Sequence, residues 1–121
     1  MAWIEDVCGH VLMVQQTAGK RLWTLPGGKA KSGEPLELAL RRELLEEIGQ
    51  RVRSAHLAAI FDRPAKQNLT ILYRVRLLGQ IFAPQNAGEI DHIAFKARLP
   101  KFASPSAIYF WKQRDHLGGI G

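Results

Sequence analysis

What the chain has little of narrows it first. Its 121 residues hold a single cysteine, Cys8, so no internal disulfide can form and a reducing compartment fits. Cys8 adjoins an apolar stretch and no histidine stands at a suggestive spacing, so it reads as a small buried hydrophobe rather than a nucleophile. No apolar run approaches the roughly 20 residues that a membrane-crossing helix needs. The opening MAWIEDVCGH has neither the basic flank nor the apolar run of a secretory leader, which points to a cytoplasmic protein with no membrane partner. Repeats, low-complexity tracts and linkers are missing too. The length suits one domain over 1–121, built on one core.

Acid is also scarce. Eleven Asp and Glu stand against 17 Lys and Arg, a formal charge of +6, and such a balance attracts anions at long range. The basic residues are spread from Lys20 to Arg114 without a run of five. That pattern suits a small anionic ligand or a nucleic-acid end, with no stable complex on a long duplex.

Against this scarcity, RRELLEEIGQ (41–50) gathers Glu43, Glu46 and Glu47 just before Gly49. The surrounding pattern places that stretch in a helix. HVLMVQQ reads as a strand, RLWTL as a second that stops at Pro26 and two glycines, and 35–48 turns helical. Glu34 or Ser32 is positioned to cap this helix, Pro35 suits its first turn, and Gly49 suits its C-terminal stop. VRSAHLAAIF and LTILYRVRLLG are further strands around the loop DRPAKQN. GQIFAPQNAGE reads as an irregular connection to a last strand at DHIAFKA, and SPSAIYFWKQR as a closing helix. Strands interrupted by one helix and closed by another imply an α/β domain with a mixed sheet.

On the central helix Leu38 and Leu45 share one side, extended by Leu44 and Ile48, while Glu43, Glu46 and Glu47 form a stripe bordered by Leu36 and Leu40. Three carboxylates at the negative end of a helix dipole cost ~1–2 kcal/mol if nothing neutralises them. One remedy is a solvated face bridged by Arg41 and Arg42. The other is a divalent cation. Hard oxygens at i, i+3 and i+4 suit Mg²⁺ or Mn²⁺, and no Cys or His accompanies them as zinc would prefer.

The wider spacing favours the cation. Gly28 is followed by five residues, Glu34, seven residues, and then Arg42-Glu43-Leu44-Leu45-Glu46-Glu47-Ile48-Gly49-Gln50. This resembles the Nudix box, G-x5-E-x7-R-E-U-x-E-E-x-G-U with U aliphatic, at every position but the last, where Gln50 replaces an aliphatic residue. The lead-in WTLPGGK is similar as well. The resemblance implies a Nudix-type α/β/α sandwich with a mixed β-sheet that hydrolyses a diphosphate bond in a nucleoside diphosphate derivative. It implies Glu43, Glu46 and Glu47 as metal ligands, with the Gly28 carbonyl as a further one and Glu43 orienting the attacking water. Arg42 and Glu34 would pair to pin the glycine loop on the helix. Lys29 and Lys31 flank the glycines, where they either contact phosphate or are plain surface residues.

Outside the box, a late carboxylate often approaches the metals in this family. Glu89 is the first candidate and Asp91 the second, while His92 stands where an acid is often found. Arg63, in FDRP, is able to hold a phosphate in bidentate fashion, or is an exposed turn residue. Phe61, Tyr73, Phe95, Tyr109 and Trp111 are available for base stacking, most of them as core. Only about eight residues precede the VLMV strand, so the first edge of the sheet is short or trimmed, and an open edge invites a homodimer. A compact domain without added modules resembles the MutT-type members, which ranks nucleoside triphosphates first. ADP-ribose-like sugar nucleotides and RNA 5′ ends follow. A non-catalytic ligand-binding Nudix module is the rival, and its usual loss of box carboxylates is not seen here.

Overall fold

A computed structural model describes residues 1–79 and 88–117. Most of the connection expected at GQIFAPQNAGE therefore lies outside the described residues. The strands are β1 (Ala2–Trp3), β2 (Val11–Gln16), β3 (Trp23–Thr24), β4 (Val52–Arg63), β5 (Asn68–Leu77) and β6 (Ile90–Lys96). The helices are α1 (Leu36–Ile48), α2 (Pro105–Lys112) and a short α3 (Arg114–Leu117), and a 3-10 turn at Pro64–Lys66 joins β4 to β5. No helix among the described residues is long and apolar enough to cross a membrane.

Alternation along the strands sorts the side chains into two cores. Ala2, Ile4, Leu12, Val14 and Val75 pack with Leu40, Leu44 and Ile48 of α1. Their neighbours Trp3, Val11, Met13 and Leu72 pack with Ala107, Phe110 and Trp111 of α2. Successive residues of a strand face opposite ways, so a run such as VLMV, apolar at every position, must be buried on both sides. This is the expected α/β/α sandwich. Its strands form two three-stranded sheets, in the orders β1-β5-β4 and β3-β2-β6. The first is mixed, with β1 parallel to β5 and β4 antiparallel to it. The second is antiparallel throughout.

The short N-terminal strand is not an open edge. Beyond its pairing with β5, Ala2 N–H donates to Pro26 O and Leu12 N–H to Ile4 O, both at 2.8 Å. Glu5 also bridges Val11. Cys8 is exposed rather than buried. Asp6 Oδ1 accepts from the N–H groups of Cys8 and His10, each at 2.9 Å, and that tight turn throws the thiol outward.

Two further expectations change. No side chain caps α1, and Pro35 holds the N-cap position, because the Glu34 carboxylate is drawn to Arg42 instead. The buried face of α1 is Ala39, Leu40, Leu44, Glu47 and Ile48, whereas Leu38 and Leu45 are 56% and 42% exposed. The helix is rolled so that one acid points inward. At its end Gly49 adopts the left-handed conformation, with φ 68°, and its N–H bonds Leu45 O. α2 is capped as its Ser-Pro start implies, Ser104 Oγ accepting from Ala107 N–H at 3.1 Å. Gln50 is buried, and its amide lies against Gly79, where a Cβ would collide with Oε1.

Candidate active site

The site is built where the glycine loop between β3 and α1 meets the acidic stripe of α1. Gly27 has φ +120°, a conformation that side chains resist, and so its N–H faces the helix. It donates to both carboxylate oxygens of Glu47, at 3.2 and 3.0 Å. Gly28 is packed on Glu43. A Cβ added there would lie 2.6–2.8 Å from all three atoms of that carboxylate, so the absence of a side chain lets loop and acid touch.

Arg42 ties the parts together. Its Nε and Nη2 each bond one oxygen of Glu34, both at 2.9 Å. Nη1 reaches Glu43 Oε1 at 2.9 Å and Glu46 Oε2 at 3.3 Å, and Nη2 donates to Lys29 O at 3.3 Å. The planar fork suits this bidentate geometry. Glu34 also accepts from Lys31 N–H at 2.9 Å. Arg42 first, then that backbone donor, hold its carboxyl down at about 2. In return Glu34 and Glu43 push the Arg42 guanidinium above its usual range. Of the two arginines expected to bridge the acidic face, Arg41 turns away to Glu37 and Val52 O.

The three glutamates thus differ. Glu43 and Glu46 have a cation in Arg42, so a metal is not the only thing that makes their crowding tolerable. Glu47 has no side-chain cation, is 7% exposed, and titrates at about 7. Burial raises it most, the Gly27 N–H opposes this, and Glu43 raises it further. A buried acid at this pH calls for a positive partner. Among the described residues no three acids are gathered round a common point as a cation cage. The donor chemistry still fits a hard divalent ion. Glu43, Glu46 and Glu47 offer oxygen alone, and the least-compensated of them faces the glycine loop.

The remaining candidates separate. Glu89 is exposed, but its backbone is pinned by Thr17, whose N–H donates to Glu89 O at 3.0 Å, and its charge is near enough to raise Glu47. Asp91 is engaged by Arg21 on the surface. His92 bonds Gln15 at 3.0 Å and lies 6.4 Å from the Trp23 ring, as a structural residue. The Lys29 side chain is exposed and borders a cavity that also touches Gly28 and Arg63. Arg63 is no exposed turn residue. Its guanidinium sits 4.9 Å over the Phe61 ring, and Phe61 stacks on Tyr109 at 4.1 Å. Asn68, which holds Arg63 Nη2 at 3.3 Å, was not singled out by the sequence. Only the hairpin register, Arg63 opposite Asn68, brings it there.

The NUDIX domain model matches residues 1–112. The chain belongs to the Nudix family. A Nudix hydrolase family member from Chromobacterium violaceum, provisionally so named, superposes with a TM-score of 0.77 at 29% identity, covering 98% of this chain and 75% of that one. A provisionally named 8-oxo-dGTP diphosphatase 2 of Mycobacterium tuberculosis is 44% identical over 77 residues, 57% of this chain and 53% of that protein. An RNA pyrophosphohydrolase of Teredinibacter turnerae is 35% identical over 57 residues, 47% of this chain and 33% of that protein. This Nudix chain therefore spans about half or less of the length of these two relatives.

Proposed function

We propose that this Nudix domain is a divalent-cation-dependent hydrolase of the diphosphate linkage in nucleotides, with nucleoside triphosphates and related nucleotides as its first substrate class. The observation that carries this reading is the contact of the Gly27–Gly28 loop with Glu43 and Glu47. It sets two carboxylates, one of them the buried Glu47 without a side-chain cation, against glycine backbone that no side chain screens. Glu43, Glu46, Glu47 and the Gly28 carbonyl would hold Mg²⁺ or Mn²⁺, which when bound lowers the pKa of water and offsets charge developing on phosphoryl oxygens.

The other residues position these groups. Arg42 and Glu34 lock the loop on the helix, and Glu43, packed on Gly28, would orient the attacking water. Lys29 adds a positive charge at the mouth, and Glu89 a further carboxylate beside Glu47. The names of two relatives support the substrate class, one an 8-oxo-dGTP diphosphatase and the other an RNA pyrophosphohydrolase. An exposed free thiol and no structural disulfide suit a cytoplasmic setting.

The test is a hydrolysis panel of nucleoside triphosphates, ADP-ribose and 5′-triphosphorylated RNA, with products identified by mass. Turnover is expected with Mg²⁺ or Mn²⁺ and none in EDTA. Activity that survives chelation, or no turnover of any substrate in the panel, would overturn the assignment.

A further inference from the structure

Among the described residues a long strand edge is left open. β4 lies at the margin of its sheet, with β5 on one side and no strand on the other. The one hydrogen bond that reaches its backbone from outside the sheet, among the described residues, is from Arg41 to Val52 O at 3.1 Å, at its first residue. Such a row of unpaired N–H and C=O groups is a template for another strand.

The face beside that edge is apolar and bare. Leu57 stands opposite Tyr73, and Ile60 opposite Ile71. Opposite residues share a face, and Tyr73 packs on the α1 core, so Leu57 and Ile60 lie on the α1 side. They remain 58% and 48% exposed, since α1 packs on the other end of the hairpin, at Val52 and Val75. Exposed apolar side chains grouped on one face mark an interface.

A β-bulge decides what fits there. Ala58 has no opposite residue, because Leu57 pairs Tyr73 and Ala59 pairs the adjacent Leu72. Side chains alternate with period two, so a regular strand matches faces with an antiparallel copy of itself only where the paired numbers are both odd or both even. The extra residue shifts the second half of β4 by one, and odd-to-even pairing becomes the matched one. With a two-fold axis between Leu57 and Ala58, Ala55 falls opposite Ile60, Ser54 opposite Phe61 and His56 opposite Ala59. Each pair shares a face, as their β5 partners Val75 and Ile71, Arg76 and Thr70, and Arg74 and Leu72 show. The same axis sets Arg53 against Asp62, both exposed and neither in an ion pair among the described residues. Opposite charges equidistant from an apolar centre make the strand complementary to itself, as an isologous contact requires.

We propose that two copies of this chain join β4 to β4, antiparallel about that axis, with Arg53 of each on the partner's Asp62. The contact uses neither the glycine loop nor the three glutamates, so it stands apart from the hydrolase reading.

Sedimentation equilibrium of the full chain at rising concentration tests this. The wild type should pass from monomer to dimer. Arg53→Asp and Asp62→Arg each set like charges across the axis twice, and each should weaken association by about tenfold or more. The double variant Arg53→Asp, Asp62→Arg should restore it, which a merely damaged strand would not do. Melting curves identify any charge variant that misfolds. In that event Ala55→Cys with Ile60→Cys, in a Cys8→Ser background, should oxidise to a covalent dimer, and failure to do so counts against the register. A monomer at every concentration would overturn the proposal, as would a dimer indifferent to both charge reversals or a double variant no better than the single ones. Flotation of a monomeric wild type with phosphatidylserine vesicles, lost in Leu57→Asp, would give this face to a membrane and overturn it too.

Discussion

Gly28 has no Cβ because the Glu43 carboxylate stands where one would be. The obstructed atoms belong to the far end of a flexible side chain, so Gly28→Ala should displace Glu43 rather than unfold the protein. Turnover is expected to fall on the order of 10²-fold, as a misplacement near 1 Å commonly does, with the melting temperature nearly unchanged. A large drop in melting temperature with kcat intact in the folded fraction would contradict this. Glu47 behaves in the opposite sense. It is a buried acid bonded to the Gly27 N–H, and Glu47→Gln keeps an acceptor for that donor while removing the charge. In EDTA at pH 8 this variant should melt higher than the wild type, yet its turnover with Mg²⁺ should be lost by orders of magnitude. Near-normal rates would remove Glu47 from the metal site.

At the scale of elements, α1 and the loop before it are held by one ion pair that responds to pH. The Glu34 carboxyl, ordinarily near 4.5, is lowered to about 2 by Arg42 and the Lys31 N–H. A depressed acid stabilises the fold fully above its unfolded value, and that contribution is lost as pH falls from about 4.5 to about 2. The wild type should therefore melt above Glu34→Gln at pH 6, and the gap should close by pH 2. A constant gap would mean that the charge of Glu34 does not matter. α2 depends on a local bond, accepted by Ser104 Oγ from Ala107 N–H at 3.1 Å, and Ser104 Oγ also meets the buried Thr24 hydroxyl at 2.8 Å. Ser104→Ala should cost about 1 kcal/mol, the usual worth of such a cap, in denaturant melts.

For the whole molecule, the proposed metal site would couple divalent-ion binding to folding, because acid is concentrated at one helix end of a chain that is otherwise basic, at +6. A cation that binds only the folded state stabilises it by mass action, about 2.7 kcal/mol at 100 times its dissociation constant. Adding Mg²⁺ should raise the wild-type melting temperature and leave a Glu46→Gln, Glu47→Gln double variant unmoved. An equal rise in both would place any bound ion elsewhere.

Much of this was readable in residue order, because the features involved are local. The box spacing, the Gly49 stop of α1, the apolar run of β2 and the Ser104 start of α2 depend on neighbours within a few positions. The pattern of strands and helices also gave an α/β domain with a mixed sheet, and the resemblance to the Nudix box supplied the α/β/α layering. Periodicity could not fix how α1 is rolled, since Leu38 and Leu45 lie out in solvent and Glu47 lies in only once the sheets are present. Nor could it show that Asp6 turns Cys8 outward, that Arg42 pairs with both Glu43 and Glu46, or that Asn68 faces Arg63 across the hairpin. Those outcomes are set by contacts between residues distant in the chain. The sequence by itself determined the family and the chemistry of the box, while only packing decided which carboxylate is buried and what lines the cavity beside it.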